Sequence, residues 1–122
     1  MAQMSQLGAG TRIVTLDPHE ENLLRKANEM KYRNEYAEAI RLYDQVLLTN
    51  PRHATALHSK GNALDMLGRY NEAVSCYDSA LKCDPSNAET WYNKGVTLKK
   101  MGNERDASDC MKRGVSIAVG YQ

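Results

Sequence analysis

The chain has 122 residues, of which 42% are hydrophobic, and a net charge of +1, so it suits one domain and shows no charge excess toward a strong electrostatic partner. Its 16 basic residues are scattered among 15 acidic ones, which argues against the one-sided basic stripe of a nucleic-acid surface. No apolar run reaches the about 20 residues of a membrane helix, and residues 1–10 lack the basic and apolar regions of a signal peptide. A cytoplasmic protein without nucleic-acid or membrane partners is expected.

Residues 1–18 are predicted to form a flexible N-terminal tail. Near its end, Ile13, Val14 and Leu16 form a short apolar group. The simplest expectation is that this group packs on the first helix. The alternative is that the tail occupies the binding groove of the same or a neighbouring molecule.

Six helices are predicted after the tail, because apolar residues recur at steps of three and four between clear turn signals. Asp17 with Pro18 opens the first helix, and Asp84 with Pro85 separates two later ones. The predicted helices cover about residues 19–33, 36–49, 54–67, 71–82, 88–101 and 105–118. The predicted fold class is therefore all-α.

Equivalent residues recur at one constant step of 34 residues along these helices. Ala39, Ala73 and Ala107 are related by this step, and so are Gly61 and Gly95. A period of this length, with a turn inside each unit, is typical of solenoids built from helix-turn-helix hairpins. The sequence predicts one domain over residues 19–122, with repeats at about 20–53, 54–87 and 88–121. Such an architecture favours binding over catalysis.

Small residues mark the inside and the end of the first helix of each hairpin. Glycine in the middle of a helix costs about 1 kcal/mol relative to alanine, so Gly61 and Gly95 predict close contact with a neighbouring helix. Gly68 and Gly102 follow the last apolar residue of their helices, where a left-handed conformation is needed, and Asn34 is expected to adopt the same conformation.

These residues resemble the pattern of the tetratricopeptide repeat family. The second repeat carries most of the resemblance, through Leu57, Gly61, Leu64, Gly68, Tyr70, Ala73, Tyr77, Ala80 and Pro85. The third repeat adds Trp91, Gly95, Leu98, Gly102 and Ala107, and the first keeps Tyr36, Ala39, Tyr43 and Pro51. The resemblance implies a right-handed superhelical solenoid of three hairpins that binds other proteins, without selecting one function.

The end of the third repeat departs from that pattern at Glu104, Gly114 and Val119. We therefore expect the last hairpin to be the loosest. Repeat arrays need polar terminal caps, and part of the final apolar surface is expected to be uncovered near Met101, Val115 and Ile117. Such a patch indicates self-association or a missing neighbouring segment.

The inner, concave surface is the predicted binding site, since in similar proteins it is lined by the first helix of each hairpin. Asparagine side chains there can donate to and accept from a peptide backbone, and apolar side chains beside them provide anchors. The alternative for Asn28 and Asn62 is hydrogen bonding within their own hairpins. If the ligand is an extended peptide, its acidic part is expected near Lys99 and Lys100. The predicted groove residues are Leu24, Asn28, Lys31, Tyr32, His58, Asn62, Met66, Tyr92, Asn93, Lys99 and Lys100.

One subclass of similar proteins grips the acidic end of heat-shock chaperones with a clamp of lysine, asparagine and arginine. The corresponding residues here are Leu24, Asn28, Ser59, Glu89 and Asn93. Only Asn28 matches the clamp, and Glu89 would repel a carboxylate. Binding of a chaperone tail is therefore disfavoured.

No catalytic group, metal site or cofactor is predicted. Cys76, Cys83 and Cys110 lack the paired spacing of a zinc or redox motif and are expected to be reduced. His53 and His58 are too poorly spaced for a metal pair, and no serine or cysteine has a histidine partner.

The function that the sequence favours is an adaptor, not an enzyme, which binds a peptide or helical segment of a partner protein in the concave groove. The alternative is a homo-oligomeric assembly module that uses the uncapped end of the solenoid. A co-chaperone that binds a chaperone tail and an RNA-binding helical repeat are less favoured, the latter because the basic stripe is missing.

Overall fold

The computed structural model describes residues 17–120, which form six helices joined by short turns. The helices are α1 (Pro18–Tyr32), α2 (Tyr36–Thr49), α3 (Ala54–Met66), α4 (Tyr70–Cys83), α5 (Ala88–Lys100) and α6 (Glu104–Ala118). The predicted all-α fold is confirmed, and no helix end differs from the prediction by more than one residue. Of the predicted tail, all but the last two residues lie outside the described part of the chain. None of the described helices combines the length and the apolar character that crossing a membrane requires.

The first helix of each hairpin ends at a residue in the left-handed conformation, as predicted. The backbone φ angle is 65° at Asn34, 77° at Gly68 and 84° at Gly102. The residue after each of them returns its amide to the carbonyl five positions earlier, at 2.8 to 3.0 Å. These bonds satisfy carbonyls that the helix end leaves free, and they reverse the chain into the second helix.

The hairpins stack into a solenoid of two layers. Helices α1, α3 and α5 each contact the second helix of their own hairpin, and among the first helices α1 contacts α3 and α3 contacts α5. Within residues 17–120, by contrast, the backbones of α2, α4 and α6 do not approach one another to within 8 Å. Because the first helices lie closer together than the second helices, the stack curves with α1, α3 and α5 on its inner side.

The predicted close helix contacts are present at both mid-helix glycines. A Cβ atom added to Gly61 would lie 2.7 Å from Cε1 of Tyr77, and one added to Gly95 would lie 2.9 Å from the backbone oxygen of Ala107. Tyr77 is fully buried, as is Tyr43 at the equivalent place in the first repeat. At residues 61 and 95, glycine is thus required because a side chain would collide with the neighbouring helix, and not because of its backbone conformation.

The last hairpin is also closely packed around Gly114. The prediction that this hairpin would be the loosest is therefore wrong at Gly114. A Cβ atom added to Gly114 would lie 2.8 Å from the backbone oxygen of Ala88 and 3.1 Å from the amide nitrogen of Tyr92. The departure from the repeat pattern therefore lets α6 approach the backbone of α5 directly.

Candidate functional site

A groove of about 630 Å³ lies on the inner side of the solenoid between α1 and α3, and it reaches the start of α5. Five of the predicted groove residues line it together, and Asn34, Thr55, Ser59 and Glu89 complete it; the five are Asn28, Lys31, Tyr32, His58 and Asn62. A second hollow of about 510 Å³ adjoins it on α1 and shares Asn28 and Tyr32. The Tyr32 side chain is 91% exposed between the two hollows.

The other predicted residues lie elsewhere. Leu24 is half-buried and packs on the core of the first hairpin, and Met66 is exposed at the end of α3. Tyr92 and Asn93 line a separate hollow at the end of the stack. Lys99 is exposed at the end of α5. The predicted set is therefore divided among the groove, the last repeat, and two residues, Leu24 and Met66, that lie in neither.

Two tyrosine hydroxyls fix the orientation of the groove asparagines. Tyr43 donates to Oδ1 of Asn28, and Tyr77 donates to Oδ1 of Asn62 at 2.6 Å. The hydrogen bonding within each hairpin that the sequence left as an alternative is thus observed. Asn93 adds a bond from its Nδ2 to Oδ1 of Asn62 at 3.3 Å. Each bonded Oδ1 leaves the Nδ2 of Asn28 and of Asn62 as the donor that a peptide carbonyl could meet.

The charges inside the groove compensate each other. Nε2 of His58 lies 3.9 Å from Oε1 of Glu89, while Nδ1 of His58 hydrogen-bonds Oγ1 of Thr90 at 2.8 Å. Burial lowers the pKa of His58, with Glu89 opposing this shift and Lys31 adding to it. Burial also lowers the pKa of Lys31, again opposed by Glu89. A neutral histidine between a lysine and a glutamate gives the groove little net charge at neutral pH.

Acidification should destabilise the protein through His58. Its folded pKa lies below the ordinary value of 6.5, so on acidification the unfolded chain takes up a proton before the folded chain does. The stability contributed by the neutral imidazole is therefore present above that value and is lost as the pH falls through the folded pKa. We expect the urea midpoint to fall between about pH 7.5 and pH 5, with a smaller slope in His58→Gln.

His19→Gln is the matched control, because it removes an exposed histidine that lies outside the groove lining. Equal slopes in His58→Gln and in the wild type would contradict the assignment to His58.

A buried polar junction between α3 and α5 was not anticipated from the sequence. Asp65 accepts a hydrogen bond from Oγ1 of Thr97 at 2.7 Å. It also forms an ion pair with Nζ of Lys100 at 2.7 Å. Asp65 and Thr97 are both buried. The charge of Lys100 is therefore compensated within the protein. The sequence did contain a signal for this polar junction. Thr90 and Thr97 follow Ala56 and Ala63 by 34 residues, so hydroxyl groups replace alanines that are buried in the preceding repeat.

The end of the solenoid carries a separate hollow of about 480 Å³ between α5 and α6. Its lining residues are Ala88, Glu89, Tyr92, Asn93, Gly114, Val115 and Ala118. The apolar patch predicted at this end is present in part, since Met101 and Val115 are exposed whereas Ile117 is half-buried.

The cysteines and acidic residues of the described chain form no metal cluster. Within residues 17–120, no three His, Cys, Asp or Glu side chains come together as a metal site requires. Cys76, Cys83 and Cys110 are free, and burial raises the pKa of the Cys76 and Cys110 thiols. A raised pKa keeps these thiols protonated and poorly nucleophilic at neutral pH.

Sequence models of two repeat families match the second half of the chain. A TPR repeat model matches residues 61–102, and a tetratricopeptide repeat model matches residues 88–118. No curated protein matches the chain in sequence.

Solved structures with this architecture superpose on most of the chain. The TPR domain of Sgt2 from Aspergillus fumigatus is 24% identical with a TM-score of 0.81, over 88% of this chain and 72% of that one. MamA is 17% identical with a TM-score of 0.78, over 83% of this chain and 59% of the MamA chain. The second TPR of Spaghetti (RPAP3), solved with the HSP90 peptide SRMEEVD, is 16% identical with a TM-score of 0.78, over 82% and 93%. This chain spans less than two thirds of the MamA chain. The TM-scores show a shared helical-repeat fold.

Proposed function

Since this chain is a tetratricopeptide repeat protein, and such repeats are protein-interaction modules, we propose that it is an adaptor. It binds a peptide segment of a partner protein along the inner side of its solenoid. The observation that carries the proposal is the groove of about 630 Å³ in which the exposed Tyr32 lies beside oriented amides from Asn28 and Asn62. An apolar anchor next to fixed side-chain donors that can meet the carbonyls of a peptide backbone is the combination that peptide recognition uses.

The spacing of the exposed apolar residues suggests the form of the ligand. Tyr32 and Met66 occupy equivalent positions of the first two repeats and are both exposed. Helices α1 and α3 are in contact, which places such positions about 9 Å apart, close to the length of three residues of an extended chain. The expected ligand is an extended peptide in the polyproline II conformation, in which side chains three positions apart share one face about 9 Å apart, with apolar residues at those positions.

Charge suggests the direction of the ligand. Lys31 faces Glu89 inside the groove and Lys100 is paired with Asp65, so these lysines are already compensated. Lys99 is exposed at the end of α5. The acidic part of the peptide is therefore proposed to lie toward Lys99 and the third repeat.

Loss of the two anchors should weaken peptide binding without unfolding the protein. Peptides selected from a random 12-residue library on the wild-type chain should bind the Tyr32→Ala, Met66→Ala double variant at least about tenfold more weakly. Both residues are exposed, so circular dichroism and the unfolding midpoint should remain those of the wild type. Fluorescence anisotropy of the labelled peptide measures the affinity.

Leu48 provides the matched control, because it is 83% exposed on the second helix of the first hairpin, away from the groove. Leu48→Ala should leave the affinity unchanged, and a peptide that distinguishes only Leu48→Ala from the wild type would place the site on the outer surface. The peptide SRMEEVD is a reference ligand that should not bind, because Glu89 stands at a position where the chaperone clamp needs a base.

A further inference from the structure

The end of the solenoid at α5 and α6 exposes apolar side chains that a terminal repeat normally replaces by polar ones. Tyr92 is 45% exposed and Val115 is 52% exposed, and both border the hollow between the two helices. In the second repeat Leu81 holds the position equivalent to Val115 and is 7% exposed, on a helix that contacts α5 of the next repeat. The last repeat thus retains part of a surface built to be covered.

The repeat itself identifies which residues meet the covering element. The face of α3 that α5 covers includes His58, Asn62 and Asp65, which bond to Thr90, Asn93 and Thr97 of α5. Shifted by 34 residues, these three positions become Tyr92, Val96 and Lys99 on α5. Glu89 lies three residues before Tyr92, as Thr55 lies three residues before His58. These four α5 residues form one stripe, which we call the terminal stripe, at steps of three, four and three.

The terminal stripe is complementary to itself. It reads acid, apolar, apolar, base over about 15 Å of helix, from Glu89 through Tyr92 and Val96 to Lys99. Two such stripes in antiparallel orientation place Glu89 of each copy opposite Lys99 of the other and Tyr92 opposite Val96. We propose that the terminal face binds a second copy of this chain in a two-fold dimer, with α5 antiparallel to α5.

Head-to-tail stacking of the same face on α1 of another copy does not fit. The residues that α3 and α5 bury against the preceding repeat are small: Ala56, Ala63, Thr90 and Thr97. The equivalent residues of α1 are Asn22 and Glu29, both exposed, and Glu29 lies 3.9 Å from Arg33. Burial of a carboxylate in place of a small residue would be costly. The pairing therefore closes as a two-fold dimer instead of continuing as a filament.

Light scattering coupled to size exclusion tests the proposal on the full chain over about a hundredfold concentration range. The wild type should be a concentration-dependent dimer, since one helix pair gives a small interface. Glu89→Lys and Lys99→Glu should each raise the dissociation constant about tenfold or more, because both ion pairs become like-charge pairs. An equimolar mixture of the two variants should restore the dimer, because the two lysines in the stripe of one variant then face the two glutamates in the stripe of the other.

Two charge reversals outside the stripe serve as controls. Glu21→Lys changes the α1 residue equivalent to Glu89, and Lys82→Glu changes a lysine in the last turn of α4, as Lys99 lies in the last turn of α5. Both should dimerise like the wild type. A strictly monomeric wild type, single variants that stay dimeric, or a mixture that stays monomeric would each overturn the proposal. Because mass is the readout, the result is independent of peptide binding in the groove, which Glu89 also lines.

Discussion

Tyr77→Ala should lower the free energy of unfolding by about 4 kcal/mol, a large part of the stability of a small domain. The Tyr77 ring is 1% exposed and packs with Ile40, Leu64 and Ala73, while Gly61 provides the space for it. Alanine would leave a cavity that two rigid helices cannot close, and it would also remove the hydroxyl that orients Asn62. Urea unfolding followed by circular dichroism measures the loss.

Tyr77→Phe separates the ring from the hydroxyl. This variant keeps the packing and removes the hydroxyl with its bond to Asn62, so it should cost about 1 kcal/mol. Tyr32→Ala, at an exposed position, should change stability by less than about 0.5 kcal/mol. If Tyr77→Ala were no more costly than Tyr77→Phe, the close contact with Gly61 would not organise this hairpin.

The helices and their ends could be predicted because local physics determines them. Asn34, Gly68 and Gly102 adopt the left-handed conformation that their residue types favour, and the two mid-helix glycines lie where a side chain would collide. Each of these signals is repeated at the 34-residue step, so agreement between copies strengthens a weak local preference.

The candidate site could be predicted only in part, because it depends on which hairpins lie next to each other. Asn28 and Asn62 share the groove since α1 and α3 are neighbours. Tyr92 has no following repeat in the described chain and therefore borders the terminal hollow instead. Periodicity places a residue on a helix face, but the neighbour that covers the face decides its role.

Asp65 shows the same limit for charges. On sequence alone it is one acidic residue on a helix face, and such residues are usually solvated. Its burial follows from the approach of Thr97 and Lys100, which come from the next repeat. The sequence spacing within α3 contains no information about that approach.

Asp65→Ala should therefore lower the free energy of unfolding by about 2 kcal/mol, in contrast to an exposed acidic residue. The variant leaves the buried hydroxyl of Thr97 without its acceptor, whereas Lys100 is exposed enough to regain water. Asp44→Ala is the matched control, because Asp44 pairs with Lys60 at 2.6 Å but is half exposed, and its loss should cost less than about 0.5 kcal/mol. Urea unfolding compares the two.

A double-mutant cycle with Thr97→Ala then assigns the cost to the pair. Alanine fits at residue 97, since Ala63 occupies the equivalent buried position in the second repeat. With both partners removed, no buried group is left unsatisfied, so the double variant should be about 1 kcal/mol more stable than the sum of the single losses predicts. Strict additivity would mean that Asp65 and Thr97 do not act as a bonded pair. An equal loss of stability in Asp65→Ala and Asp44→Ala would mean that the buried carboxylate does not hold the second and third repeats together.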